Sequence, residues 1–160
     1  MIKPFLPAAI IAALSLSAMS LSACSDATDT AKTATAIVLP ALLNPNTASS
    51  DDLRAVAGMT DTLLLDIEAA RPFTDGAAFA DFVQSRSSDP EALLNAVFVP
   101  FPINSTPEAD FKSIPGVGDK MAHEFEEYRP YSDMAQFDRE IGKYVDADEL
   151  ARLRRFIVID

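Results

Sequence analysis

FKSIPGVGDKMAHEFEEYRPY, residues 111–131, holds a glycine-rich turn between two apolar-periodic segments. Pro115 can end one helix, Gly116 can take a positive φ, and Gly118 lets the backbone turn tightly into the next helix. Phe111 and Ile114 stand before the turn, and Met121, Phe125 and Tyr128 recur after it at helical spacing. The stretch therefore predicts two short helices joined by a glycine hairpin. Its backbone amides would point outward at a helix start, where a phosphate or another anion can be held.

The pattern occurs twice. Residues 53–73, LRAVAGMTDTLLLDIEAARPF, align without gaps 58 positions upstream. Gly58 falls on Gly116, Asp61 on Asp119, Glu68 on Glu126, Arg71 on Arg129 and Pro72 on Pro130. The match continues through Asp75 on Asp133, Ala77 on Ala135 and Phe79 on Phe137, and Asn46 falls on Asn104. Apolar character follows too, with Val56 on Ile114, Met59 on Val117 and Ile67 on Phe125. Two copies of one small helical unit are expected, each covering the other's apolar face.

The first 23 residues are read apart from the fold. Lys3 precedes an apolar run over residues 8–21, which is short for a membrane span and ends in small residues. LSAC, residues 21–24, resembles the lipobox of bacterial lipoproteins, and Cys24 is the only cysteine. That resemblance implies cleavage before Cys24, acylation of its thiol and amine, and a durable anchor in a lipid membrane. Ser25 after the cysteine resembles an outer-membrane sorting context, which implies an outer-membrane protein facing the periplasm. A single cysteine also excludes an intrachain disulfide and a cysteine metal cluster.

The mature chain divides, by this reading, into a lipidated N-terminus and tether (residues 24–43), a first repeat (44–101) and a second (102–160). Residues 25–36 are rich in Ala, Thr and Asp without apolar periodicity, and residues 36–43 are apolar but interrupted by Pro40. Ser and Asp caps, early acidic residues and Pro90 mark about four short helices per repeat. The connector VFVPFPINS, residues 97–105, carries prolines that disfavour a central strand and suit an extended crossover. Phe98 and Phe101 within it are candidates for core packing or for lining a ligand groove. Pro107 and Glu108 read as the first turn of the helix leading to Phe111. The C-terminal FIVI, residues 156–159, is expected to pack into the shared core. The expected class is all-α, a compact pair of repeats.

The repeats resemble helix-hairpin-helix units, and NPNTAS at residues 44–49 together with the hairpins resembles the tandem helix-hairpin-helix domain of the periplasmic DNA receptor of bacterial transformation. The resemblance is most detailed at PGVGDK, residues 115–120. It implies sequence-nonspecific binding of duplex DNA, with Gly116, Val117 and Gly118 facing a phosphate through their backbone and Lys120 adding a basic contact. Gly58, Met59 and Thr60 would be the upstream equivalents. The upstream hairpin departs from the pattern: Ala57 replaces the proline, Thr60 the second glycine and Thr62 the lysine.

Charge opposes that function. The chain carries a formal −11, and residues 44–102 and 103–160 contribute −6 and −5. DNA association gains much of its free energy by releasing counterions from phosphates, which needs a positive footprint. Lys112, Lys120 and Lys143 could supply a local one. Arg71 and Arg129 are candidates for a phosphate, for capping the helix ends before the prolines, or for pairing with acids. His123 has no evident metal partners, and no catalytic constellation, metal site or cofactor motif is discernible. The expectation is a non-enzymatic, lipid-anchored domain binding duplex DNA weakly through the second hairpin, or else an envelope protein-interaction or structural lipoprotein. Globomycin should block maturation of the precursor, and fractionation should recover the protein with the membrane; an unlipidated soluble product would reject the anchor.

Overall fold

Every described α-helix but Asp119–Glu127 starts where a short polar side chain caps it. The computed structural model describes residues 39–160; the leader, Cys24 and the tether up to residue 38 lie outside the described residues. Ser49 accepts a hydrogen bond from the Asp52 amide at the start of α1 (Ser50–Arg54). Thr60 does the same for Leu63 at α2 (Asp61–Ala70). Asp75 caps α3 (Gly76–Gln84), and Asp89 caps α4 (Pro90–Leu94), whose first residue is a proline. The later helices are α5 (Asp119–Glu127), α6 (Met134–Ile141) capped by Asp133, and α7 (Ala147–Leu153) capped by Asp146. None of the described helices is long and apolar enough to cross a membrane.

These helices are too short to persist alone, so packing and specific ties hold them. Two asparagines do equivalent work 58 positions apart. The Asn46 side chain donates to the Phe73 carbonyl at 2.9 Å and accepts from the Phe73 amide at 2.8 Å. Asn104 donates to the Tyr131 carbonyl at 3.0 Å and accepts from the Tyr131 amide at 2.7 Å. Each primary amide thus mimics one rung of a β-ladder, bringing the chain after a cis proline, Pro72 or Pro130, back to the approach of the preceding hairpin. Arg71 and Arg129 reinforce the same closure by donating to the Ala48 and Thr106 carbonyls. Arg71 is also the C-cap of α2, its backbone amide donating to the Ile67 carbonyl, whereas Tyr128 holds that place on α5; among the described residues neither guanidinium pairs with an acid.

The core is continuous across both halves. Phe98, Phe101, Phe111, Phe125 and Phe137 are fully buried and stack in succession at centroid distances of 5.4, 5.6, 5.2 and 5.6 Å, while Phe156 meets Phe98 at 5.1 Å. Phe98 and Phe101 are therefore core residues, and Phe101 also borders a cavity of about 240 Å³ between residues 74–75 and 105–110. Such edge-to-face contacts add to the burial of large apolar area.

Three expectations need correction. The described residues are mostly helical, yet the connector forms a strand, β1 (Phe101–Pro102), paired in parallel with β2 (Ile157–Val158). Proline is tolerated there because the ladder is two residues long and has no further strand beside it, and Ile103 supplies the next amide, donating to Val158 at 2.9 Å. The C-terminal run is accordingly only partly core: Phe156 and Ile157 are buried and Val158 is exposed. The segment before the second hairpin is a 3-10 helix, Glu108–Ser113, rather than an α-helix. Pro115 forces Ile114 into an extended conformation, and the Ile114 amide closes a tight turn onto Phe111.

Asn104→Ala should destabilise the fold by about 2 kcal/mol, because it strands the Tyr131 amide and carbonyl. Urea unfolding measures this, and Asn46→Ala should behave alike; a change near zero in both would show that the asparagine ties are incidental.

Candidate nucleic-acid interface at the second hairpin

The second hairpin is built by residues with unequal demands. Pro115 and Val117 are buried, so Val117 can offer a ligand only its backbone. Gly116 has φ +78°, and a Cβ placed there would lie 3.2 Å from Nη2 of Arg152. Backbone conformation and space both ask for glycine at this position. Gly58 plays the same conformational part upstream with φ +84°, but a Cβ there would meet nothing.

Gly118 is different. Its φ of −98° and ψ of −179° suit any residue, and a Cβ would meet no atom within 4 Å. The tight turn expected to require glycine here does not require it. The equivalent upstream residue, Thr60, has a similar φ of −100° and ψ of 155°, and its hydroxyl accepts from the Leu63 amide at 3.1 Å. No side chain caps the first turn of α5. The two hairpins thus share a backbone course but differ in chemistry: threonine occupies the first helix start, and the second is left bare.

The cations expected around the second hairpin are not equally available. Lys120 is exposed, with its ammonium 5.9 Å from the Tyr144 ring. Lys112 donates to Asp119 at 3.0 Å, spanning the hairpin from the residues before it to the first residue of α5. Arg54 and Asp61, the positions 58 residues upstream, are paired in the same sense at 3.7 Å. Lys143 is paired with Glu140. The predicted trio of basic residues therefore contains two lysines held by carboxylates.

Two neighbours were not legible in the sequence. An open cavity of about 670 Å³ lies before the hairpin, bordered by Gln84, Glu91 and Leu94 from the first half and by Lys112 and residues 113–118 from the second. Arg152, in the last turn of α7, reaches the hairpin while held by Glu149 at 2.6 and 2.7 Å and by Asn95 at 3.2 Å. Only the recurrence of arginine at residues 152, 154 and 155 hinted at it.

The remaining candidates stand apart. His123 is exposed, with Nδ1 3.7 Å from Glu108. Hydrogen bonding to Glu108, then burial, then repulsion from the same carboxylate raise the Glu126 pKa above its ordinary range. Among the described residues, no group of three or more His, Cys, Asp or Glu is placed to hold a metal ion. Family models, curated proteins and solved structures were all compared with the chain, and none matches it.

The unequal demands can be separated experimentally. Gly116→Ala should lower stability by about 1–2 kcal/mol through the left-handed backbone and the Arg152 contact. Gly118→Thr should raise it by about 0.5–1 kcal/mol, since it imports the upstream cap onto a compatible backbone. Equal destabilisation in urea titrations would contradict this division of roles.

Proposed function

We propose that the protein is a non-catalytic bacterial lipoprotein, anchored through Cys24 in the outer membrane and facing the periplasm, whose tandem helix-hairpin-helix domain binds duplex DNA weakly and without reading its sequence. The single observation that supports this most is the bare start of α5, where Gly118 stands although neither its backbone angles nor its surroundings need glycine. Absence of a side chain lets a phosphate oxygen approach amides that no cap has taken, with the positive end of a nine-residue helix behind them. Lys120, in the same turn, adds a charge free to meet a second oxygen.

Gly116 shapes the cradle and Val117 anchors it to the core, so the binding groups are backbone atoms on a rigid support. Backbone contacts position a duplex without selecting bases. The upstream residues Gly58, Met59 and Thr60 form the weaker site, because the Thr60 hydroxyl already satisfies an amide there. Weakness of the whole interaction follows from charge: Asp119 sits at the cradle and Lys112 is occupied by it.

The charge distribution favours a second reading, an envelope protein-interaction or structural lipoprotein without nucleic-acid binding. Both halves are acidic, and exposed ion pairs such as those of Lys112 and Lys143 leave little unmatched positive charge.

Binding of the full-length protein in detergent to a short duplex, followed by fluorescence anisotropy across a salt series, decides between them. The DNA reading expects saturable binding at low salt that falls steeply as salt rises, a slope smaller by about 1 for Lys120→Ala, and loss of binding for Gly118→Thr despite its stable fold. Asp119→Asn should tighten binding. No binding at low salt would leave the protein-interaction reading; binding indifferent to Gly118→Thr would displace the site.

A further inference from the structure

Beyond the hairpin, the residues that follow α5 and α6 carry a second arrangement that the sequence motif does not include. Tyr128 and Tyr144 face each other with ring centroids 6.4 Å apart and hydroxyl oxygens 2.7 Å apart. Two ammonium groups bracket this pair: Lys120 stands 5.9 Å from the Tyr144 ring, and Lys143 stands 5.0 Å from the Tyr128 ring. Aromatic faces attract such cations and restrict their long side chains, so less freedom is lost when an anion binds them.

We propose that Lys143 and the Tyr128–Tyr144 platform form a second phosphate subsite, continuing the track that begins at Gly118 and passes through Lys120. The inference rests on the reading of the second hairpin as a DNA-backbone site. Its occupant is the sugar–phosphate backbone of the same duplex, next to the phosphate held by the hairpin.

Three observations converge on it. Lys120 belongs to both places, since it lies in the first turn of α5 and against Tyr144. Cations also gather here: Arg139 and Lys143 share Glu140, and Lys120 stands across the tyrosine pair from Lys143. Glu124, buried with its Oε2 unpartnered, is the acid beside the pair that opposes a phosphate. Hydrogen bonding to Tyr128 raises the Tyr144 pKa, so the phenol stays neutral and adds no repulsion. Finally, the positions 58 residues upstream of Lys120, Tyr128, Lys143 and Tyr144 are Thr62, Ala70, Ser85 and Arg86. The platform is absent from the half whose hairpin is capped and present in the half whose hairpin is bare.

Glu140 holds Lys143 in the unbound protein. Its carboxylate must yield the ammonium, at least in part, when phosphate arrives, which makes Glu140 an affinity-setting residue.

The test uses the full-length protein and a 20-base-pair duplex, about two helical turns by the known rise of DNA. Lys143→Ala should reduce the salt slope by about 1, and Tyr144→Ala should weaken binding several-fold with Tyr144→Phe close to wild type. Glu140→Gln should tighten it. Thermal unfolding of each variant identifies any that fail to fold, and the exposed Lys143 substitution keeps the test independent of the tyrosines. Wild-type affinity and slope in Lys143→Ala, with Lys120→Ala still weakened, would overturn the subsite and leave the hairpin site standing. Absence of binding by the wild type would overturn both.

Discussion

The two-sided hydrogen bond between the Asn104 side chain and the Tyr131 backbone is the constraint on which the second half depends. Helices of five to ten residues bring little stability of their own, and their apolar faces need a fixed partner. By returning the chain after Pro130 to the segment before the hairpin, the asparagine encloses Phe111 and Phe125 and holds the turn at residues 114–118 outward. Asn46 imposes the same closure around the first hairpin. The aromatic succession from Phe98 to Phe137 then makes the halves share one core.

Much of the helical content was legible because its signals are local. Asp75, Asp89, Asp133 and Asp146 all cap helices, and Arg71 and Arg129 precede prolines that end them. What escaped was non-local. Nothing in the periodicity of residues 97–105 or 156–159 reveals that a two-residue ladder joins them, since a proline inside the pattern argues against a strand. Likewise, the short reach between Phe111 and Pro115 turns the expected helix into a 3-10 turn, a distinction of hydrogen-bond spacing that propensity does not resolve. Arg152 beside Gly116 and the groove wall from α3 and α4 depend on how the halves meet, which no single stretch records.

The candidate site was legible as a motif, but its chemistry was not. The sequence marks Gly116 and Gly118 alike as turn glycines; the backbone angles separate them, one demanded by the fold and the other unneeded by it. The basic residues divide in the same way. Lys112 and Lys143 count as positive in a composition, yet carboxylates hold both, whereas Lys120 rests on an aromatic ring. An acidic chain in which α5 alone among the described α-helices has a bare start suits a contact that is weak, salt-sensitive and local. It suits poorly a surface that wraps nucleic acid.

The most direct test of the central claim, that the two hairpins share a backbone but only the second presents open amides, is a nitrogen-15 NMR titration of the wild-type protein with a short duplex at low salt. Saturable amide shifts at Gly118, Asp119 and Lys120, with Thr60, Asp61 and Thr62 unmoved, are the expected result. Equal shifts in the two hairpins, or shifts confined to surfaces away from both, would contradict the account.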